Sequence, residues 1–79
     1  MTISELKDNL SHGGEIEFVY MGKSYSITHV NRMIYISEFY KEDETAKFCK
    51  NFSDLLTYEI QGELFENIWD KVEITFRCF

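Results

Sequence analysis

Hydrophobic residues near the N-terminus repeat with the period of a helix. The apolar stripe consists of Ile3, Leu6 and Leu10. Thr2 and Glu5 form a Thr-x-x-Glu capping box, in which each side chain accepts a hydrogen bond from the free backbone N–H of the other residue. Glycine readily adopts the left-handed conformation of a C-terminal cap, so Gly13-Gly14 predicts where this helix ends.

Between residues 15 and 38 the pattern changes to an alternation of apolar and polar positions, which predicts β-strands. Two-residue turns at Met21-Gly22 and Asn31-Arg32 join three antiparallel strands into a meander. Each turn independently places Ile16, Ile27 and Ile36 in one row across the sheet. A slip of one residue would move every side chain to the other face, so this agreement between the two turns fixes the register.

The two faces of the predicted meander differ in polarity. The core face carries Ile16, Phe18, Tyr20, Tyr25, Ile27, Ile34 and Ile36, with His29 at its edge. The opposite face carries Glu15, Glu17, Ser24, Ser26, Thr28 and Ser37, with Val19, Met21, Met33 and Tyr35 among them. This division is typical of an antiparallel sheet that helices cover on one side only.

Shorter patterns follow the meander. Over residues 41–50 the pattern lapses, and residues 41–45 are expected to form a charged loop. Asn51 or Ser53 then caps a short predicted helix, and Gly62 interrupts the chain before a second amphipathic helix. The apolar residues of that second helix are Leu64, Phe65, Ile68 and Trp69. The alternation of apolar and polar residues over 72–76 predicts a terminal strand.

Together these elements predict a single α+β domain over residues 1–79, in the order αβββααβ. The predicted architecture is an antiparallel sheet of three to four strands, the meander, with helices on the face of Ile16, Ile27 and Ile36. A chain of 79 residues supports one domain of modest size, whose core is one layer deep on each side of a sheet.

Charge and cysteine content narrow the classes of function. The net charge is −6, with 8 basic and 14 acidic residues and no basic stripe, so direct nucleic-acid binding is not expected. No apolar run approaches the roughly 20 residues of a membrane-spanning helix, and no signal peptide is recognisable. Two cysteines without a disulfide-rich spacing favour reduced thiols and a cytoplasmic protein.

Catalytic and metal-binding patterns are weak. His12, His29, Cys49 and Cys78 are scattered, without the clustered spacing of a metal site or a catalytic Cys–His pair. The glycines are explained by caps and turns, so no phosphate-binding loop or cofactor is expected. Carboxylates such as Glu15 are abundant, but a domain with so thin a core has little room for a catalytic cleft. The sequence therefore predicts a protein that is not an enzyme.

Binding to another protein is the favoured hypothesis. Apolar residues that fall on the non-core side of the meander or just beyond it are Val19, Met21, Met33, Tyr35 and Phe39. Tyr40, Phe48 and Phe79 lie outside the predicted elements. Exposed aromatic and methionine side chains gathered in one patch commonly mark an interface. The partner is another protein or a second copy of this chain, and a free edge of the meander offers a further route by strand addition.

An acidic surface supports an alternative hypothesis. Its residues are Glu59, Glu63, Glu66 and Asp70, which share one side of a helix if the second helix extends back that far. Such a surface would occupy the basic groove of a nucleic-acid-binding protein, as phage-encoded inhibitors of nucleases do. The competing interpretation is that these carboxylates keep a small domain soluble.

The chain also resembles a group of small uncharacterised proteins from Gram-positive bacteria and their mobile elements. The residues that carry the resemblance are Gly14-Glu15-Ile16-Glu17-Phe18-x-Tyr20-x-Gly22-Lys23-x-Tyr25-Ser26-Ile27, Ile36-Ser37-Glu38 and the ending Leu55-Leu56…Ile60-x-Gly62…Ile68-Trp69…Val72-Glu73-Ile74. The resemblance covers most of the chain. It implies a bacterial, cytoplasmic setting and transfers no functional residues.

Overall fold

The computed structural model describes residues 1–78 and shows an α+β fold built on a five-stranded antiparallel sheet. The strands are β1 (Glu15–Tyr20), β2 (Lys23–Val30), β3 (Met33–Glu38), β4 (Lys47–Cys49), β5 (Glu59–Ile60), β6 (Glu63–Leu64) and β7 (Glu73–Cys78). The helices are α1 (Ile3–Ser11), α2 (Glu42–Thr45), α3 (Phe52–Leu56) and α4 (Phe65–Ile68), which a 3-10 helix (Trp69–Lys71) continues. The large sheet has the order β4-β3-β2-β1-β7, and β5 and β6 form a separate hairpin.

The predicted start and end of α1 are confirmed. The backbone N–H of Glu5 donates to the Thr2 hydroxyl at 3.1 Å, and the backbone N–H of Thr2 donates to the Glu5 carboxylate at 2.8 Å. The hydrogen bond from Thr2 lowers the pKa of the Glu5 carboxyl below its usual value. After the helix, Gly13 adopts the left-handed conformation at φ +80°.

The predicted register of the meander is also confirmed. Ile16 pairs with Ile27, and Ile27 pairs with Ile36, so the three isoleucines lie in one row. Both residues of each turn have positive φ: 52° at Met21 and 78° at Gly22, then 51° at Asn31 and 68° at Arg32. Two successive residues with positive φ form a turn whose twist matches that of the flanking strands. This match explains why two-residue connections suffice.

The sheet is larger than predicted, and both edges of the meander are paired. Most of the predicted charged loop forms α2, and β4, which follows in the stretch without a predicted element, pairs with β3. Strand β7 pairs with β1. The prediction of a free meander edge is therefore wrong. Three residues are too few to show an alternation in sequence, and only the pairing with Ile34, Tyr35 and Ile36 defines β4 as a strand.

A second correction concerns residues 59–64. Gly62 does not simply interrupt the chain, because Gln61 (φ 52°) and Gly62 (φ 85°) form another two-residue turn between β5 and β6. The element order αβββααβ is therefore wrong in detail, although the α+β class and the antiparallel sheet are correct. Asn51 caps α3 as predicted, accepting a hydrogen bond from the backbone N–H of Asp54 at 2.9 Å.

Strand β7 contains a bulge that the alternation in sequence does not reveal. Phe76 pairs with Glu17 while Ile74 pairs with Phe18, so Thr75 is an extra residue without an opposite partner on β1. The bulge breaks the two-residue period of the strand. Ile74 consequently packs against the core, whereas Phe76 lies on the other side of the sheet and is 46% exposed.

The core lies between the large sheet and helices α1, α3 and α4 together with the β5–β6 hairpin. Phe18, at its centre, is fully buried. Its ring stacks on Tyr25 at 5.3 Å between centroids and meets Trp69 edge-on at 5.4 Å. Phe65 stacks on Trp69 at 5.1 Å and completes this aromatic group. None of the helices within residues 1–78 has the length and apolar composition needed to cross a membrane.

Candidate interaction surface

The side of the large sheet that faces away from the core, here called the open face, is covered by none of the described residues 1–78. Strand alternation and pairing place the following residues on it or at its ends: Glu15, Glu17, Val19, Ser24, Ser26, Thr28, Val30, Met33, Tyr35, Ser37, Phe39, Phe48, Glu73, Phe76 and Cys78. Most of these side chains are half-buried by their neighbours on the sheet. The open face is thus available to solvent except at Ser37, which is only 2% exposed.

An aromatic corner occupies the β3–β4 side of the open face; we define it as Met33, Tyr35, Phe48 and Val30. Tyr35 and Phe48 are paired across the two strands, with ring centroids 4.8 Å apart and an edge-to-face angle of 62°. Met33 and Val30 are paired at the adjoining end of β3 and β2. Phe48 is 48% exposed. Sequence reasoning placed Phe48 outside any element because β4 was not recognised.

The five predicted interface residues do not form one patch. Tyr35 and Met33 belong to the aromatic corner. Val19 and Phe39 lie at the opposite end of the open face, since both flank Ser24: Val19 pairs with it, and the Phe39 N–H donates to its carbonyl at 2.9 Å.

Met21 follows Val19 in the β1–β2 turn and is 71% exposed. It therefore belongs to the Val19–Phe39 end of the open face. Between this end and the aromatic corner lies a row of polar residues: Ser37, Ser26 and Glu17. The predicted contiguous hydrophobic patch is thus two separate groups.

A band of short hydroxyl side chains runs through the middle of the open face. Its members are Ser24, Ser26 and Thr28 on β2 and Ser37 on β3. Serine and threonine project less far from a sheet than the glutamates of β1 or the aromatic residues of β3 and β4. The band therefore forms a shallow floor between a carboxylate side and an aromatic side.

Charge is divided between the two sides of the large sheet. Glu15, Glu17 and Glu73 lie on the open face, because Glu73 pairs with Val19 and the other two alternate with core residues. The three cations within the strands of this sheet lie on the helix side: Lys23 is opposite Tyr20, Lys47 opposite Ile36 and Arg77 opposite Ile16. Within residues 1–78 none of the three open-face carboxylates forms a salt bridge.

The predicted acidic helix side is not present. The helix begins at Phe65, so Glu59 and Glu63 lie in the β5–β6 hairpin, while Glu66 and Asp70 are exposed on α4 and the 3-10 helix. A turn with positive φ at Gln61 and Gly62 separates Glu59 from Glu63, and the helix begins only after Glu63, which explains why the four carboxylates cannot share a helical side. That these carboxylates bind a nucleic-acid-binding protein stays a prediction.

Glu63 has a structural contact that the sequence does not reveal. Its carboxylate accepts a hydrogen bond of 2.6 Å from the Tyr20 hydroxyl, which joins the hairpin to β1. That hydrogen bond raises the pKa of Tyr20 above its usual value. Gln61 strengthens the same connection, since its side-chain amide donates to the Tyr20 carbonyl at 3.3 Å and to the Tyr25 hydroxyl at 3.4 Å.

Two further tyrosines line the same end of the core. Burial raises the pKa of Tyr25 and of Tyr58. The Tyr58 hydroxyl donates to the Thr45 carbonyl at 2.7 Å, and the Thr45 hydroxyl accepts from the Glu38 N–H at 2.8 Å. These contacts give the hydroxyl groups structural roles in attaching α2 and the hairpin to the sheet.

The histidine and cysteine of the core do not form a catalytic pair. On the helix side of the sheet, Ile34 lies between His29 and Cys49 and pairs with both, so the two are separated by two strand spacings, about 10 Å. Burial raises the pKa of the Cys49 thiol, which favours its uncharged and less reactive form. Nε2 of His29 is buried and has no hydrogen-bond partner in residues 1–78.

An open groove beside α3 is lined by Lys50, Asn51, Ser53, Asp54 and Thr57. Its polar groups are already engaged in local structure. Asp54 accepts a hydrogen bond from the Lys50 N–H at 3.2 Å, which lowers the pKa of that carboxyl, and forms a 3.4 Å ion pair with Lys47. Across residues 1–78, no three side chains among histidine, cysteine, aspartate and glutamate come together to hold a metal ion.

No family model matches this chain, and no curated protein or solved structure matches it either. The resemblance to small proteins of Gram-positive bacteria therefore stays a prediction. The open face, which presents both apolar and charged groups, is the candidate site.

Proposed function

We propose that this chain is a non-catalytic protein-interaction module that binds its partner with the open face of the sheet. The observation that carries this proposal is that an exposed aromatic corner and a set of carboxylates share one sheet face that no described residue covers. Aromatic residues and methionine are enriched in the centres of protein interfaces, and their exposure costs solvation free energy that a partner would recover.

The chemistry of the remaining polar groups supports a binding role. The hydroxyl groups of Tyr20 and Tyr58 and the side chain of Asp54 are bonded to neighbouring elements, so they act in folding. Cys49 is buried and lies apart from His29. A rigid sheet that presents a broad face suits recognition of another protein better than enclosure of a small substrate.

The proposed setting is the cytoplasm of a Gram-positive bacterium or a cell that carries one of its mobile elements. The resemblance described above leads to this setting. The two free thiols, one buried and one exposed, are in keeping with a reducing compartment.

Site-specific photocrosslinking tests the proposed contact face. Benzoylphenylalanine in place of Phe48 conserves an aromatic side chain and puts the reactive ketone on the open face. The matched control places the same residue at Lys7, which is exposed on α1 on the helix side. In Gram-positive cells we expect a discrete crosslinked species from position 48 and none from position 7. A crosslink from position 7 alone, or equal crosslinking from both, would contradict the proposal.

The acidic inhibitor of a nucleic-acid-binding protein is the alternative proposal. It uses the surface of Glu59, Glu63, Glu66 and Asp70 and requires binding that weakens steeply with salt. Charge reversal at Glu66 and Asp70, whose side chains are exposed, would then abolish binding. Under the open-face proposal the same variants leave binding unchanged.

A further inference from the structure

The division of charge across the large sheet specifies what kind of partner the open face fits. Glu15, Glu17 and Glu73 point to this side, while every cation within the five strands points to the helix side. The face therefore presents three negative charges that the sheet itself does not neutralise. A partner surface of opposite charge is attracted to such a face, and a partner of like charge is repelled.

The spacing of the three carboxylates is regular. Glu15 and Glu17 are two residues apart on β1, which puts their side chains about 7 Å apart on one face. Glu73 lies opposite Val19, two residues further along and one strand across. The three groups thus form a bent row with steps of about 7 Å and roughly 8 Å, close to the distance between every second side chain of an extended chain.

The aromatic corner supplies a second, apolar contact at a defined distance. Glu15 lies on β1 and Phe48 lies on β4, with β2 and β3 between them, so the two are about 14 Å apart across the sheet. The floor between them consists of short side chains, Ser26 and Thr28 among them. A partner segment can therefore lie over this floor and reach both sides without a clash against large side chains.

We propose that the open face binds a basic, extended segment of another protein, with Lys or Arg side chains at alternate positions on the three glutamates and an apolar side chain on the aromatic corner. This inference rests on the proposed function, and it adds the chemistry of the partner. The guanidinium group of Arg suits carboxylates because it donates two parallel hydrogen bonds.

Charge also argues against a second copy of this chain on the same face. In a face-to-face dimer the glutamates of both copies would be enclosed, either against one another or against the partner's aromatic corner, and the strand cations, which lie on the outer sides, would be too far away to neutralise them. Enclosing like charges without a counter-charge is strongly unfavourable. Joining two sheets edge to edge is disfavoured as well, because the bulge at Thr75 interrupts one edge strand, β7, and the other edge strand, β4, has only three residues.

Selection from a random twelve-residue peptide display library tests the inference without assuming a partner. We expect the peptides enriched on the wild-type protein to carry a net positive charge, with basic residues at alternate positions and at least one aromatic or aliphatic residue. The affinity of a selected peptide is then measured for the wild-type chain and for the triple variant Glu15→Gln, Glu17→Gln, Glu73→Gln. We expect roughly twofold to fivefold weaker binding for each carboxylate replaced.

A control triple variant removes the same charge elsewhere: Glu42→Gln, Asp43→Asn and Glu44→Gln, at exposed positions of α2. Because net charge changes equally in both proteins, only the open-face variant is expected to lose affinity. Equal losses, enrichment of neutral or acidic peptides, or no enrichment would overturn the basic-segment inference. If neutral peptides are enriched and still compete with crosslinking from position 48, the basic-segment inference fails but the open-face proposal stands. Crosslinking from position 7 alone would overturn both proposals.

Discussion

The side-chain amide of Asn9 donates a hydrogen bond of 3.2 Å to the backbone carbonyl of Cys78. Asn9 is buried in α1, and Cys78 ends β7, so this bond joins the first helix to the last strand over 69 residues of chain. The same side chain also packs against Gly14, where an added Cβ would lie only 2.3 Å from Asn9 Oδ1. The hydrogen bond between α1 and β7 thus depends on a small residue at position 14.

Gly14→Ala is therefore expected to destabilise the fold. A methyl group at this position must displace the Asn9 side chain and its bond to Cys78, at a cost of about 1–3 kcal/mol in the free energy of unfolding. Urea unfolding of the two proteins measures the difference.

Asn9→Ala provides the control for this explanation. The single variant loses the bond to Cys78, but it also removes the atoms that the new Cβ would meet. The double variant should therefore lose less stability than the sum of the two single variants. A strictly additive double variant would show that the cost of Gly14→Ala does not come from Asn9.

The second prediction concerns stability at high pH. Tyr20, Tyr25 and Tyr58 all have a raised pKa in the folded protein, the first through its hydrogen bond to Glu63 and the others through burial. In the unfolded chain these phenols ionise near pH 10, before they do so in the folded protein. Their contribution to stability is therefore fully present below about pH 10 and is lost as the pH rises through the raised values.

Urea unfolding between pH 8 and 11.5 tests this behaviour. We expect the free energy of unfolding to fall above about pH 10, and Tyr20→Phe to make the fall less steep by removing one of the three phenols. Tyr40→Phe is the matched control, because Tyr40 is 94% exposed. An equal change of slope in both variants would contradict the assignment to the Tyr20–Glu63 bond.

The third prediction is a large difference in reactivity between the two thiols. Cys49 is fully buried with a raised pKa, whereas Cys78 is exposed. In the Cys78→Ser variant, Ellman's reagent should label Cys49 at least about a hundredfold more slowly than it labels Cys78 in the Cys49→Ala variant, because labelling requires local opening. Comparable rates would mean that Cys49 is not buried in solution.

The fourth prediction concerns the aromatic corner. The edge-to-face pair of Tyr35 and Phe48 should give a coupling free energy of about 0.5–1.5 kcal/mol in a double-mutant cycle with alanine. Tyr35 and Phe76 serve as the control pair, since they lie on the same face but three strands apart. Their cycle should give a coupling free energy near zero. Equal coupling in both cycles would mean that the effect comes from a general loss of sheet stability and not from the contact between the two rings.

Local rules in the sequence predicted a large part of the fold. The capping box at Thr2 and the turns at Met21-Gly22 and Asn31-Arg32 depend on neighbouring residues alone, and all are confirmed. What the sequence did not reveal depends on contacts between distant segments. Strand β4 exists only through pairing with β3, and the bulge at Thr75 appears only against β1.

The candidate site was also predicted only in part, because some of its residues are placed by contacts between distant segments. Alternation along single strands correctly put Met33, Tyr35 and Val19 on the non-core side. Phe48 and Phe76 were missed as members of that side, because their positions follow from β4 and from the bulge. The division of charge across the sheet likewise emerges only once Glu73 and Arg77 are assigned to opposite sides of β7.

Chemical-shift mapping shows whether the open face is the contact surface. The ¹⁵N-labelled chain is titrated with the tightest peptide from the display selection. We expect the largest amide shift changes along β2 and β3, around Ser26, Thr28 and Tyr35. Shift changes confined to Glu63, Glu66 and Asp70 would contradict this expectation and favour the acidic-inhibitor alternative.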